Sequence, residues 1–410
     1  MHHPRPLSSP ISGRGEGGCG PGDFNQAARQ SSEFVSMKTV GILGGGQLAR
    51  MLALAGAPLG VRFLVVDNVA DACAGQVAPQ IKADWRDFAA LEEFAKRIDV
   101  ATFDFENVPA DTAQWLAERV AVFPNPRALA ATQDRLVEKT LFRELGLDTP
   151  AFAAVDSRAD LEQALARIGC PAVLKTRRLG YDGKGQFRIK SPADIDAAWA
   201  ALGGAALILE AWVAFDCEVS LVAVRGRDGA FSTYPLVQNW HEDGILSATL
   251  APAPGAEALT APAAQHARAI AEHLDYVGTF ALELFVKDGK LLGNEMAPRV
   301  HNSGHWTIEG TACSQFENHV RAVLGLPLGD SAALGTSVML NFIGELPDPL
   351  PVLAEPRAHW HDYGKSPRAG RKVGHATLCA QTNAEMRDRL TRVARALGRE
   401  AQAAPVLAAL

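Results

Sequence analysis

The chain has 410 residues, 48% hydrophobic and 21% charged, with a formal net charge of −6. That length suits two or three globular domains, and the acidic balance excludes the global basic field of a nucleic-acid binder. No apolar run approaches the ~18 residues that cross a bilayer, and six scattered cysteines without a CxxC pair argue against a zinc site or a disulfide framework and for a reducing cytoplasm.

Residues 1–36 are rich in Gly, Pro and Ser and carry no apolar period, so they are expected to be a disordered leader. They lack the apolar core of a secretory signal. Met37 is followed at once by the apolar run KTVGILG, so either Met37 is the natural start or the leader is a dispensable tail.

From Met37 strands and helices alternate: TVGILGG, QLARMLALAGAPLG, VRFLVVD, DWRDFAALEEFAKRI and DVATFDFE. Such βαβαβ order predicts a parallel, doubly wound α/β domain over 37–130. Gly44-Gly45-Gly46-Gln47-Leu48-Ala49 fits G-x-G-x-x-A after a strand, and Asp67 ends the second strand where a ribose hydroxyl would sit. Taken alone, this loop points to an NAD-dependent dehydrogenase. Helix N-termini attract many anions, however, and that reading leaves the later motifs without a role.

Helices near 131–145 and 159–168 precede the strand PAVLK and a second glycine loop, LGYDGKGQF. No Ser or Thr follows its Gly-Lys, so it is not a Walker loop. It can still lie over phosphates, donating backbone N–H groups beside Lys175 and Lys184. The run ALILEAWV leads into an exposed-type Glu210 and can read an adenine edge with its backbone, while Glu218 can accept from ribose hydroxyls. Glu283 and Glu295 interrupt apolar strands, and carboxylates there need a partner or a cation; oxygen ligands that share coordination with phosphates suit Mg²⁺. In RVHNSGHW, Arg299 and His301 fall on one side of an extended run, and a guanidinium fork matches a planar oxyanion such as bicarbonate.

Side chains alternate faces along a strand, so a two-residue Asp288-Gly289 turn would set residue 283 against 294 and leave Glu283 and Glu295 on opposite faces. A shared cation site therefore predicts an odd turn, Lys287-Asp288-Gly289 with Gly289 left-handed.

The strings LKTRRLGYDGKGQF, LILEAWV, EVSLVAVRG, YPLVQNWHEDGIL, NEMAPRVHNSGHWT and GRKVGH together resemble the N5-carboxyaminoimidazole ribonucleotide synthases of the ATP-grasp superfamily, from Met37 to about Leu378. The resemblance implies α/β and α+β folds: a preATP-grasp Rossmann-like domain (37–130), a two-lobed ATP-grasp domain (131–335) and a small C-terminal domain (336–410). It implies a cytoplasmic homodimer in purine synthesis that uses ATP, bicarbonate and 5-aminoimidazole ribonucleotide with Mg²⁺ or Mn²⁺, and neither nucleic acid nor membrane. By the same resemblance Arg135 and Lys175 meet ATP phosphates, and Gly180, Tyr181, Asp182, Gly183, Lys184, Gly185 and Gln186 form the loop over them. Glu210, Ala211, Trp212 and Val213 form the adenine strand; Glu218, His241, Asn294 and Glu295 complete the ATP site. Glu283 and Glu295 are the metal ligands. Tyr181, Asp182, Arg299, His301 and Asn302 face the second substrate, with Asp182, Arg299 and His301 as catalytic residues. Lys365, Arg371 and Lys372 take the ribonucleotide phosphate, although the spacing of YGKSPRAGRK leaves Arg368 as an alternative to Arg371. Many ATP-grasp enzymes carry E-x-N where this chain has Glu295-Met296-Ala297, so coordination rests on two glutamates, water and phosphate. Another ATP-grasp carboxylase or amide ligase is the alternative within the fold.

Overall fold

The computed structural model describes residues 38–180 and 185–410. Five parallel strands, β1 (Thr39–Leu43), β2 (Arg62–Asp67), β3 (Gln80–Lys82), β4 (Val100–Phe103) and β5 (Ala121–Val122), form a first sheet in the order β3-β2-β1-β4-β5. The order reverses between β1 and β4, which opens a crevice at their C-terminal ends. Gly44–Gly46 leave β1 there, and Asp104 and Glu106 follow β4. The helix expected over DWRDFAALEEFAKRI begins only at Phe88, because the Asp87 side chain accepts from Ala90 N–H and caps it.

A second, antiparallel sheet holds β6 (Phe152–Val155), β7 (Ala172–Thr176), β8 (Gln186–Ile189) and β9 (Leu207–Ala211) in the order β6-β9-β7-β8. The third sheet has nine strands: β10 (Cys217–Arg225), β11 (Phe231–Thr233), β12 (Val237–Glu242), β13 (Ile245–Ala251), β14 (Gly278–Lys287), β15 (Lys290–Ala297), β16 (Thr336–Ile343), β17 (Ala358–Asp362) and β18 (Lys372–Ala380). Its path runs β15-β14-β10-β12-β13-β16-β18-β17, with β11 paired to β10. The C-terminal strands therefore extend the sheet of the preceding segment through a β13–β16 ladder.

The three regions also share core residues. Phe316, Val320, Val323 and Leu324, from the helix Gln315–Leu324, complete the apolar cluster beneath the helix Gln47–Gly56, and Tyr363 joins them. The chain closes with two helices, Asn383–Leu397 and Glu400–Ala409, where the sequence suggests one. Gly398 between them is left-handed (φ 65°) and ends the first.

Candidate active site

The three sheets border one cleft of about 1480 Å³. On one wall the helix Arg135–Glu144 starts at Asp134, whose carboxylate accepts from Leu136 N–H at 3.0 Å and receives the Arg177 guanidinium at 3.0 and 2.8 Å. This end fixes Arg135, which donates to Glu295 Oε2 at 2.8 Å and to the Gly180 carbonyl at 3.1 Å. One side chain thus joins the glycine loop's first residue to a carboxylate on β15. Gly180 and Gln186 line the cleft; Tyr181, Asp182, Gly183 and Lys184 lie outside the described residues.

Glu210 departs from its exposed reading. It is 3% exposed and accepts from Lys175 Nζ at 2.9 Å, with Lys139 Nζ at 3.3 Å. Burial opposes its charge, but the two ammonium groups outweigh burial and hold its pKa down at about 2. Lys175 thereby lines the cleft, as do Ala211, Trp212 and Val213 at the end of β9. Opposite, His241 Nδ1 pairs with Glu218 Oε2 at 2.8 Å. Burial works against the imidazolium, and the Glu218 carboxylate overcomes it, raising the His241 pKa.

The β14–β15 hairpin corrects the expected register. Lys287 does pair with Lys290 across a two-residue turn, with Asp288 at φ 49° and Gly289 at φ 69°, the left-handed pair of a type I′ turn. No odd turn is present. The parity changes further along: Leu284 pairs with Gly293 but Glu283 pairs with Glu295, so Asn294 is an extra residue, a β-bulge. The bulge sets Glu283 and Glu295 directly opposite each other on one face, and both line the cleft. Burial would raise the Glu295 pKa, yet Arg135 holds it down at about 2. Among the described residues no group of three or more His, Cys, Asp or Glu could hold a metal alone. Two opposed carboxylates fit a hard cation that draws its other oxygens from a phosphorylated ligand.

Beyond the hairpin, Arg299 Nε donates to Glu106 Oε2, and His301 Nε2 lies 3.1 Å from Glu283 Oε1. Asn302 is buried and exchanges amide hydrogen bonds with Asn341 at 3.0 and 2.7 Å, which fixes its orientation. The basic segment meets the first glycine loop: Lys365 Nζ donates to Gln47 Oε1, and Arg371 Nη1 to Ser366 Oγ at 2.9 Å. Lys372 and Arg368 line the same end. The two basic candidates, Arg368 and Arg371, both stay at the cleft.

Sequence reasoning missed Gln47, Asp104 and Glu106. The signal was available, because both the G-x-G-x-x-A loop and the run FDFEN end adjacent parallel strands at a crossover point. The dehydrogenase reading of that loop fails on its acid. Asp67 accepts from Gly45 N–H at 2.6 Å and Val69 N–H at 2.8 Å, and so braces its own loop. Asp104, buried and accepting from Gly46 N–H, has a pKa pushed up to about 6 by burial.

Known proteins agree with this arrangement. The ribonucleotide synthetase preATP-grasp domain family matches residues 37–133, the ATP-grasp domain family 140–316, and the phosphoribosylaminoimidazole carboxylase C-terminal domain family 337–389. An N5-carboxyaminoimidazole ribonucleotide synthase of Pseudomonas aeruginosa is 52% identical over 354 residues, which cover 86% of this chain and 98% of the relative. The crystal structure of the Thermus thermophilus synthetase superposes with a TM-score of 0.84 at 53% identity, covering 87% of this chain and 98% of that one. The Aspergillus clavatus enzyme, solved with ADP and 5-aminoimidazole ribonucleotide, superposes with a TM-score of 0.82 at 32% identity, covering 89% and 99%. The chain belongs to the N5-carboxyaminoimidazole ribonucleotide synthases, the ATP-grasp ligases that carboxylate 5-aminoimidazole ribonucleotide in purine biosynthesis.

Proposed function

We propose that this cleft phosphorylates bicarbonate with ATP and delivers the activated carboxyl group to the amine of 5-aminoimidazole ribonucleotide, releasing ADP and phosphate. The observation that carries the reading is the opposed pair Glu283 and Glu295, with Arg135 and Lys175 beside it. A Mg²⁺ (or Mn²⁺) ion held by these two carboxylates and the nucleotide's phosphates would neutralise charge on the transferring group.

Bicarbonate is a poor electrophile, and its phosphorylation needs positioning and charge more than covalent help. Arg135, Lys175 and Lys184 neutralise phosphate oxygens, with Glu210 aiming Lys175. The backbone of Glu210–Val213 takes the adenine; Glu218 takes the ribose, with His241 holding its carboxylate, and Asn294 borders the nucleotide beside Glu295. Arg299 and His301 orient bicarbonate, and Asn302, Tyr181 and Asp182 face the aminoimidazole. Lys365, Arg371 and Lys372 hold the ribonucleotide phosphate. Carboxyphosphate hydrolyses in water, so the loop from Gly180 to Gln186 closes over it as a lid. The described cysteines form no disulfide, in keeping with a cytoplasmic enzyme; its working form is a homodimer with units 37–130, 131–335 and 336–410.

Release of ADP is the test. It should require both bicarbonate and 5-aminoimidazole ribonucleotide, whereas glycine with phosphoribosylamine should support none. Stimulation by the glycine pair would transfer the cleft to another ATP-grasp reaction.

A further inference from the structure

Strand β15 ends the nine-stranded sheet, so one side of its backbone looks away from β14. Along a regular strand the outward N–H groups recur every two residues. Here Gly293 N–H donates to the Asp148 carbonyl at 2.7 Å. Met296 N–H, three residues on, donates to Glu138 Oε1 at 2.8 Å. The step of three is the mark of the extra residue, Asn294, whose carbonyl accepts from Lys139 Nζ at 2.9 Å. Two adjacent residues of one helix thus capture the backbone groups that the bulge displaces, and both are buried, Glu138 to 3% and Lys139 to 0% exposure. An unbulged β15 would turn Met296 N–H toward β14 and strip Glu138 of this donor. Lys139 also reaches Glu210 at 3.3 Å, so it ties the bulge to the carboxylate that holds Lys175.

We propose that Glu138 and Lys139 are positioning residues for the divalent cation: they lock β15 in its bulged register and so keep Glu295 on the face of Glu283. This rests on the reading above that Glu283 and Glu295 hold the metal. Neither residue touches substrate in the assignment above. Their effect passes through the backbone of residues 294–296.

The test is direct Mn²⁺ binding to the full-length protein with ADP present, followed by water-proton relaxation, with ADP affinity measured separately in chelator. Glu138→Leu keeps volume and removes the acceptor; Glu138→Gln keeps an acceptor oxygen. Removing a group that orients a metal ligand typically costs 10–100-fold in metal affinity. Glu138→Leu should therefore weaken Mn²⁺ binding by about tenfold or more, Glu138→Gln should stay within about threefold of wild type, and metal-free ADP affinity should not change in either. Wild-type Mn²⁺ affinity in Glu138→Leu, or equal weakening by Leu and Gln, overturns the proposal. If Glu138→Leu does not fold, Lys139→Met carries the comparison, with a tenfold loss supporting the proposal and wild-type affinity overturning it. Glu283→Gln and Glu295→Gln separate the two layers: if they too bind Mn²⁺ normally, the metal reading itself falls and this proposal falls with it.

Discussion

Glu210 shows how a single residue can be recognised by type and mistaken in environment. In LILEAWV it looks like the polar end of a strand, but it lies under Lys139 and Lys175, with Oε1 buried and without a hydrogen-bond partner among the described residues. Removing one member of a buried ion pair leaves the others uncompensated, at about 3–5 kcal/mol. Glu210→Ala should shift guanidinium unfolding by roughly that amount; a shift below about 1 kcal/mol, the scale of an exposed pair, would mean that water reaches the network. Arg371 differs in kind. Among the described residues its side chain donates to Ser366, within its own segment, so Arg371→Ala should leave the fold and the Michaelis constant for ATP unchanged. The constant for the ribonucleotide should rise roughly ten- to a hundredfold, the scale of one charge-assisted hydrogen bond. Equal effects on both substrates would move the basic segment to the nucleotide. Asp182 belongs to the same scale. As acceptor for the exocyclic amine it predicts that Asp182→Asn keeps ATP affinity and loses about 10²-fold in ribonucleotide-dependent turnover; weaker ATP binding with a normal ribonucleotide response would reduce it to shaping the loop.

At the scale of elements, the β14–β15 hairpin separates what a sequence can reveal from what it cannot. Asp288-Gly289 was legible as a turn pair, but the demand for a shared face led to an odd turn, whereas the structure has the two-residue type I′ turn with both φ values positive. The two glutamates were legible as well, since carboxylates in apolar strands need an explanation. Their shared face was expected from the metal reading, but the bulge that supplies it was not, because it answers to Glu138 and Lys139, more than 150 residues away in sequence. Three of the five preATP-grasp strands, β1, β2 and β4, could be read locally from unbroken apolar runs, whereas the short β3 and β5 were not, and the cleft role of Asp104 and Glu106 emerges only from the strand order. If turn and bulge set the register independently, damage to the turn should leave the site intact. An added Cβ on Gly289 meets nothing within 4 Å, so Gly289→Ala should cost only the left-handed backbone, about 1 kcal/mol, seen as a small drop in Tm with kinetics unchanged. A loss of turnover without a matching loss of stability would show that the turn governs the carboxylates after all.

For the whole molecule, three fully buried histidines oppose folding in acid. Burial lowers His305 and His375 well below 6.5 and His319 to about 4. The unfolded chain binds protons at these positions below about 6.5 and the folded chain does not, so their effect on stability is absent above that pH and increasingly unfavourable below it. His241 has the opposite sign: its raised pKa contributes stability that is fully present below 6.5 and is lost as pH rises through the higher folded value. Asp104 and Glu138, raised to about 6 and about 8 by burial, add stability as pH falls over the same range, so the histidine contribution is read by difference. His319→Gln should lessen the acid-side loss of Tm between pH 7 and pH 5 relative to wild type, and an identical profile would mean that His319 is hydrated and titrates normally. The ladder in which Ala248, Thr249, Leu250 and Ala251 pair with Leu340, Met339, Val338 and Ser337 constrains how the gene could be cut. A fragment ending at 335 would not be a trimmed enzyme that merely lacks a module. It would present β13 as an open strand edge, a template for another chain, so the C-terminal strands act as the cap that keeps the rest of the protein from polymerising.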